Sequence, residues 1–364
     1  MRIDQQAWRT IWPEPDGCVG IIDQTLLPHR LERILLREAD EAARAIADMQ
    51  VRGAPLVGVT AAYGLALALK GDASDTAMAR AIDMLAATRP TAVNLRWALE
   101  RMRQALLPLA PVARATAAFQ LAGEMAEEDV AVCSAIGDHG LSLIREISAR
   151  KGGGPVNILT HCNAGWLAFV DIGTATAPIY AAQAAGRKFH VYCDETRPRC
   201  QGASLTAWEL ARQGISHQII ADSAAGFLMS RGEIDMVIVG SDRVLGKTGE
   251  VANKIGTYTK AVLAHRHGIP FYVAIPLSTI DWDLGSGLEI PIEDRSGDEV
   301  LGAWGVIPGK SGKPGKRAYV RIANPTSTAR NPGFDVTPPE LITGIITPHG
   351  ILKPKALSKL RGKR

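Results

Sequence analysis

The spacing of apolar residues changes character near residue 150. Over RLERILLREADEAARAIADM (30–49) they fall at Leu31, Ile34, Leu35, Ala39, Ala42 and Ile46. Intervals of three and four place them on one buried face and predict a helix across that stretch. AMARAIDMLAAT (77–88) and FQLAGEMAEEDVAVCSAIGDHGLSLI (119–144) read as further helices. Gly152, Gly153, Gly154 and Pro155 then break the pattern, because glycine and proline punctuate local structure. Beyond them, short apolar runs rich in β-branched residues alternate with helical stretches: VNILTH (156–161), KFHVYCDE (188–195), SHQIIAD (216–222), DMVIVGSD (235–242) and PFYVAIP (270–276). Continuous apolar strands separated by helices predict a parallel sheet covered on both faces. The expected class is α/β, with a mainly helical N-terminal domain over 1–150 and a parallel-sheet domain over 151–364.

A parallel sheet carries a functional expectation, since ligands bind at the carboxyl ends of its strands. Four of the five runs end in polar groups there: His161-Cys162-Asn163, Asp194-Glu195-Thr196-Arg197, Asp222-Ser223 and Ser241-Asp242-Arg243. An acid at a strand end often only caps the next helix, which suffices for Asp222 before Ser223. It does not account for all four, and a convergent site does. Cys162 has three readings at this stage: an inert buried filler, a metal ligand, or a reactive thiol whose thiolate is favoured by a following helix N-terminus. His161 is its neighbour, but adjacent strand residues face opposite ways, so His161 reads as structural. Asp242 follows a buried strand, and desolvation there would raise its pKa and suit it to proton donation. The bland reading is a salt bridge to Arg243 or a helix cap. Arg52-Gly53-Ala54-Pro55 before a small-residue helix, Arg89 and Arg96 around RPTAVNLRW, and Asn253-Lys254 at an expected helix start all suit an anion. Trp166, close after Cys162, is placed near the site by sequence alone.

Composition narrows this picture. The 364 residues are 46% hydrophobic and 21% charged, with a net charge of +4, as in an ordinary soluble enzyme. The basic stretches IPGKSGKPGKRAYVR (307–321) and KPKALSKLRGKR (353–364) have almost no aromatics for base stacking. They read as solvated loop and frayed terminus, not as nucleic-acid sites. The start MRIDQQAWRT has no apolar signal core, and no run is expected to span a bilayer, so a cytoplasmic location without membrane contact is expected. Five cysteines, an odd number without a C-x-x-C pair, argue against a disulfide framework and against zinc. Walker A, G-x-G-x-x-G and G-x-S-x-G patterns are absent.

The segments RGAPLVGVTAAYG, RPTAVNLRWALERM, ILTHCNAG, DETRPRCQGASLTAWEL, GSDRV with GEVANKIGTYTKAV, PFYVAIPLSTID, IPIEDRS and NPGFDVTPPELITGIIT together resemble the methylthioribose-1-phosphate isomerase family. That family is related to the α, β and δ subunits of translation initiation factor 2B. The resemblance covers about residues 20–350. It implies a helical N-terminal domain, a Rossmann-like C-terminal domain and a homodimer. It also implies aldose–ketose isomerisation of a 5-substituted ribose 1-phosphate in methionine salvage, with a small sugar phosphate as partner and no metal or cofactor. By motif, the catalytic cysteine falls on Cys162 and the catalytic aspartate on Asp242. Substrate-binding positions fall on Arg52, Gly53, Ala54, Arg89, Gln201, Asn253 and Lys254. The chain departs from the family pattern at Ser204 and at Trp166, in the loop after Asp242, and before NPGFDVTP. These departures keep a 5-deoxyribose 1-phosphate isomerase as the alternative. A ribose-1,5-bisphosphate isomerase and a non-catalytic regulatory subunit stand behind it.

Overall fold

The computed structural model describes residues 1–90, 92–307, 309 and 315–362. Five helices dominate the first part: α1 (Ala39–Ala47), α2 (Ala54–Gly71), α3 (Asp75–Ala87), α4 (Val93–Leu106) and α5 (Pro111–Arg150). The expected helix over 30–49 is divided. Arg33–Leu36 is a strand, antiparallel to Val19–Ile22, which pairs in turn with Ile11–Pro13. The helix begins only after Glu38, where a capping box with Glu41 closes its first turn. Strand pairing thus overrides a helical period that the sequence carried through 31–36.

Helix α2 is apolar on nearly every side, and it is buried from Leu56 through Leu67. A helix without a polar face has to be enclosed, and α1, α3, α4 and α5 pack round it. By length and composition α2 could cross a bilayer, against the expectation that no run could, but 72% of that window lies inside the fold. It is a core helix. Helix α5 has 40 residues, roughly 60 Å at 1.5 Å per residue. Its first half joins the helical core through Ala118, Ala122 and Met125. Its second half joins the sheet core through Ile136, Leu141, Ile144 and Ile147.

All five expected strands form. The central sheet runs, in spatial order, 350–352, 344–347, 271–274, 236–239, 156–160, 189–194 and 217–220. Every pairing in it is parallel except that of the edge strand 350–352. From 156–160 the chain builds outward to 189–194 and 217–220. It then returns to lay 236–239 on the other side of 156–160. The order of the sheet reverses between these two strands, which is where such folds open a binding crevice. A second, four-stranded sheet is formed by 280–281, 243–245, 251–254 and 334–337. In the basic C-terminal stretches, 316–321 is half of a hairpin with 302–307. The turn 354–360 buries Leu357 and Leu360 in the core, so it is not a frayed terminus; residues 308, 310–314, 363 and 364 lie outside the described residues.

Candidate active site

Cys162 and Asp242 leave the two strands that flank the reversal, and both line one inner compartment of about 420 Å3. Arg52, Gly53, Ala54, His161, Asn163, Ser241 and Asn253 also line it. An outer compartment of about 580 Å3 shares Ala54 and Asp242 with it and adds Arg89 and Arg243. Its wall is apolar: Val57, Ala92, Val93, Ile290, Ile292 and Phe334.

Cys162 is buried and sits at φ +65, a left-handed conformation that non-glycine residues hold only when their surroundings fix it. Its amide donates to Thr196 Oγ1 (2.8 Å), its carbonyl accepts from Thr206 Oγ1 (2.7 Å), and its thiol donates to Gln201 Oε1 (3.3 Å). No long helix follows to favour a thiolate; the next α-helix, α6, is Ala177–Ala184. Burial pushes the thiol up, and the Arg52 and Lys254 cations only partly offset this. Burial thus works against the thiolate that the strand-end position alone would favour.

Arg52 precedes α2, whose N-cap Gly53 has φ +92. A Cβ at Gly53 would lie 2.5 Å from the Ala168 Cβ, so only glycine lets the chain turn there. The buried Arg52 guanidinium grips Asn163 twice, through the side-chain oxygen and, at 2.8 Å, the backbone carbonyl. Arg89 reaches the outer compartment, whereas Arg96 is exposed on α4 and lines neither. Asn253 and Lys254 end the strand Val251–Lys254, and α9 (Thr257–Arg266) starts only after Gly256. They are strand-end groups, not the helix-start groups expected. Asn253 donates to Thr257 Oγ1 (2.9 Å). Lys254 donates to the Gly333 carbonyl (2.8 Å) and lies 4.4 Å from the Phe334 ring centre. Burial lowers its pKa, opposed by Cys162 and Asp242.

Asp242 is half-buried. Its backbone amide donates to Ala252 (3.1 Å), while its carboxylate has no hydrogen bond or ion pair with the described residues. Arg243 pairs with Asp281 (3.2 Å), which disposes of the simplest bland reading of Asp242. The other strand-end acids shape the rim. Asp222 accepts from the amides of Thr196 (2.8 Å) and Arg197 (2.7 Å). It therefore anchors the loop leading to Gln201 instead of capping α8 (Ala224–Ser230). Asp194 accepts from His161 Nδ1 (2.8 Å) and pairs with Lys260 (3.2 Å), and His161 Nε2 meets the Ile255 carbonyl at 2.9 Å. His161, Asp194 and Asp222 come close enough to share a metal ion, a grouping their spacing did not signal. Both imidazole nitrogens are engaged, however, and the Lys260 ammonium already neutralises Asp194.

Trp166 is not at the cleft. It is fully buried against Trp208, with ring centres 6.0 Å apart, beside Ile3, Ile22 and Leu27. The apolar wall comes instead from 290–292 and Phe334, which lie far along the chain. Asn163 and Thr196, which the sequence placed only among the strand-end polar groups, and Glu209, to which it gave no role, shape the site. The one available signal was an acid inside the apolar TAWEL segment.

A thiol and a carboxyl across the switch crevice of a parallel sheet, among buried cations, define the class: an α/β protein with a cleft built for a small anionic molecule. The profile of the Initiation factor 2 subunit family matches residues 50–354, and the chain belongs to that family. It is 56% identical over 353 residues to the methylthioribose-1-phosphate isomerase of Methylobacterium nodulans, covering 96% of this chain and 95% of that one. It is 54% identical to that of Rhizobium meliloti, covering 97% and 96%. Among solved structures, the 5-methylthioribose 1-phosphate isomerase of Pyrococcus horikoshii superposes with a TM-score of 0.83 at 39% identity, over 97% of this chain and 95% of that one. The δ subunit of translation initiation factor eIF-2B from A. fulgidus superposes with 0.79 at 38% identity, over 96% and 97%.

Proposed function

We propose that this chain is an aldose–ketose isomerase that converts 5-methylthioribose 1-phosphate to 5-methylthioribulose 1-phosphate, a step of methionine salvage. The observation that carries the reading is the meeting of Cys162, Asp242 and Arg52 in one compartment, in a chain 56% identical to an isomerase of that name. A sugar phosphorylated at C1 has no free anomeric hydroxyl and cannot open spontaneously. Asp242 takes up a proton with the substrate and passes it to the ring oxygen as the C1–O bond breaks. Hydrogen then moves from C2 to C1, and the C2 hydroxyl becomes the carbonyl as its proton returns to Asp242. Oxidation at C2 and reduction at C1 balance within one molecule, so no external redox cofactor enters.

Cys162 serves the hydrogen transfer. As a thiolate in the substrate complex it takes the C2 hydrogen as a proton and returns it to C1 of the enediolate, or as a thiol it lines the path of a hydride from C2 to C1. Deuterium placed at C2 that appears in solvent marks the first route. Arg52, Lys254 and the free amides at the start of α2 hold the phosphate; Gly53, Ala54, Arg89, Gln201 and Asn253 complete the substrate contacts. The apolar side of the outer compartment, Val57, Val93, Ile290, Ile292 and Phe334, suits an uncharged 5-substituent. We further propose a homodimer in the cytoplasm, each chain divided at Gly152–Gly154 into a helical and a Rossmann-like domain. The test is a parallel assay on the 1-phosphates of methylthioribose, 5-deoxyribose and ribose 5-phosphate. The highest kcat/KM is expected on methylthioribose 1-phosphate, and no turnover of any of the three would overturn the reading.

A further inference from the structure

Glu209 lies on α7 (Ala207–Arg212), which a single π-turn at 202–206 leads into. It is fully buried and takes no part in the chemistry above. A buried carboxylate is expensive unless its oxygens are filled, and here they are. Oε1 accepts from Asn163 Nδ2 (2.9 Å) and the Leu167 amide (3.0 Å). Oε2 accepts from the Trp166 amide and the Tyr180 hydroxyl, both at 3.1 Å. The backbone is shaped to admit it: a Cβ at Gly165 would lie 1.8 Å from Oε2, so glycine is required there. Three of the four donors come from the segment that follows the candidate thiol, and the fourth is Tyr180 on α6.

The consequence runs through Asn163. Its amide nitrogen is turned toward Glu209 and Thr206, which fixes its oxygen on the opposite side, where it accepts from Arg52. An asparagine free to rotate could equally present its N–H2 to the guanidinium and repel it. We propose that Glu209 is a positioning residue for substrate binding: through Asn163 it holds the Arg52 guanidinium in the orientation that receives the substrate phosphate. This rests on the isomerase reading above and on Arg52 as a phosphate ligand. Burial pushes the Glu209 carboxyl up to about 7 despite its donors, so the test is run at pH 8, where it is ionised.

The test is a double-mutant cycle on methylthioribose 1-phosphate with Glu209→Leu and Arg52→Lys, and Tm recorded for each variant. Glu209→Leu is expected to raise KM roughly tenfold or more, as loss of a charge-assisted contact does, with kcat changed far less. In the Arg52→Lys background it is expected to change KM less than about twofold. An equal factor in both backgrounds, or an unchanged KM in folded Glu209→Leu, overturns the proposal and leaves Glu209 a packing residue. Where Glu209→Leu does not fold, Glu209→Ala carries the same cycle, because it too leaves Asn163 Nδ2 without its carboxylate partner. Wild-type inactivity would instead fail the isomerase reading. An Arg52→Lys enzyme with normal KM would fail the placement of Arg52.

Discussion

Asp242→Asn tests the proposed acid with little structural disturbance. The carboxylate is half-buried and makes no hydrogen bond or ion pair with the described residues, so the isosteric amide removes no bond that holds the fold. Tm should stay within a few degrees of wild type, since surface-like substitutions stay within about 0.5 kcal/mol. Turnover should fall by roughly 10²–10⁴, the usual worth of a positioned acid or base, or about 3–5 kcal/mol of transition-state stabilisation. A second effect follows from the charges. Asp242 raises the pKa of Cys162, while Arg52 and Lys254 lower it. Removing the negative charge leaves the cations less opposed, so the thiol should ionise at lower pH and Cys162 should alkylate faster at a given pH. Ketose formation followed by NMR gives kcat. Mass spectrometry of the Cys162 peptide after iodoacetamide isolates that thiol from the partly exposed Cys200. A variant within tenfold of wild-type kcat would refute the acid role; slower alkylation would refute the electrostatic coupling.

Cys162→Ala should remain folded, lose the bond to Gln201, and drop kcat by a factor in the same range of roughly 10²–10⁴; activity near wild type would remove the thiol from the mechanism. Ile292→Arg places a cation in the outer apolar wall and should lower kcat/KM on methylthioribose 1-phosphate while raising it on the 1,5-bisphosphate, measured side by side. Asp129 is pushed by burial to about 7 from an ordinary 3.8. A carboxyl whose folded pKa is raised contributes stability below its unfolded pKa that is lost as pH rises through the folded value. Wild-type Tm should therefore fall between about pH 4 and 7, and Asp129→Asn should flatten that fall; parallel slopes would refute the assignment.

The parts legible in the sequence were those that local pattern controls. Five strands of continuous β-branched residues appeared where expected, and so did their parallel pairing, because a strand buried on both faces cannot hide its composition. Residues at the strand ends were legible too, since chain position alone brings Cys162 and Asp242 to the same edge. Three features were not. The strand Arg33–Leu36 carries a helix-compatible period, and only its partner Val19–Ile22 decides the outcome. The state of the Cys162 thiol depends on how much water the fold excludes, which no spacing encodes. Trp166 was placed near the pocket through its nearness to Cys162 in the chain. Its indole turns instead into a cluster with Trp208 and the N-terminal segment, and Phe334, 172 positions beyond Cys162, supplies an aromatic wall.

The fold by itself does not decide between catalysis and a regulatory role. A structure described as an initiation factor subunit superposes with a TM-score of 0.79, nearly as well as the isomerase at 0.83. The energetics of the cleft do bear on it. Arg52 is buried, and burial lowers its pKa and that of Lys254. Glu209 is raised for the same reason. Taking the Arg52 and Lys254 cations out of water has a desolvation cost that neighbouring groups offset only in part. Their presence together makes sense if a ligand supplies the missing negative charge, for a dianionic phosphate at Arg52 and Lys254 offsets the desolvation on binding. It would then stabilise the native state by RT ln(1 + [L]/Kd). The carboxylate of Asp242 fits the same account: without a hydrogen bond or ion pair among the described residues, it is left available to the sugar.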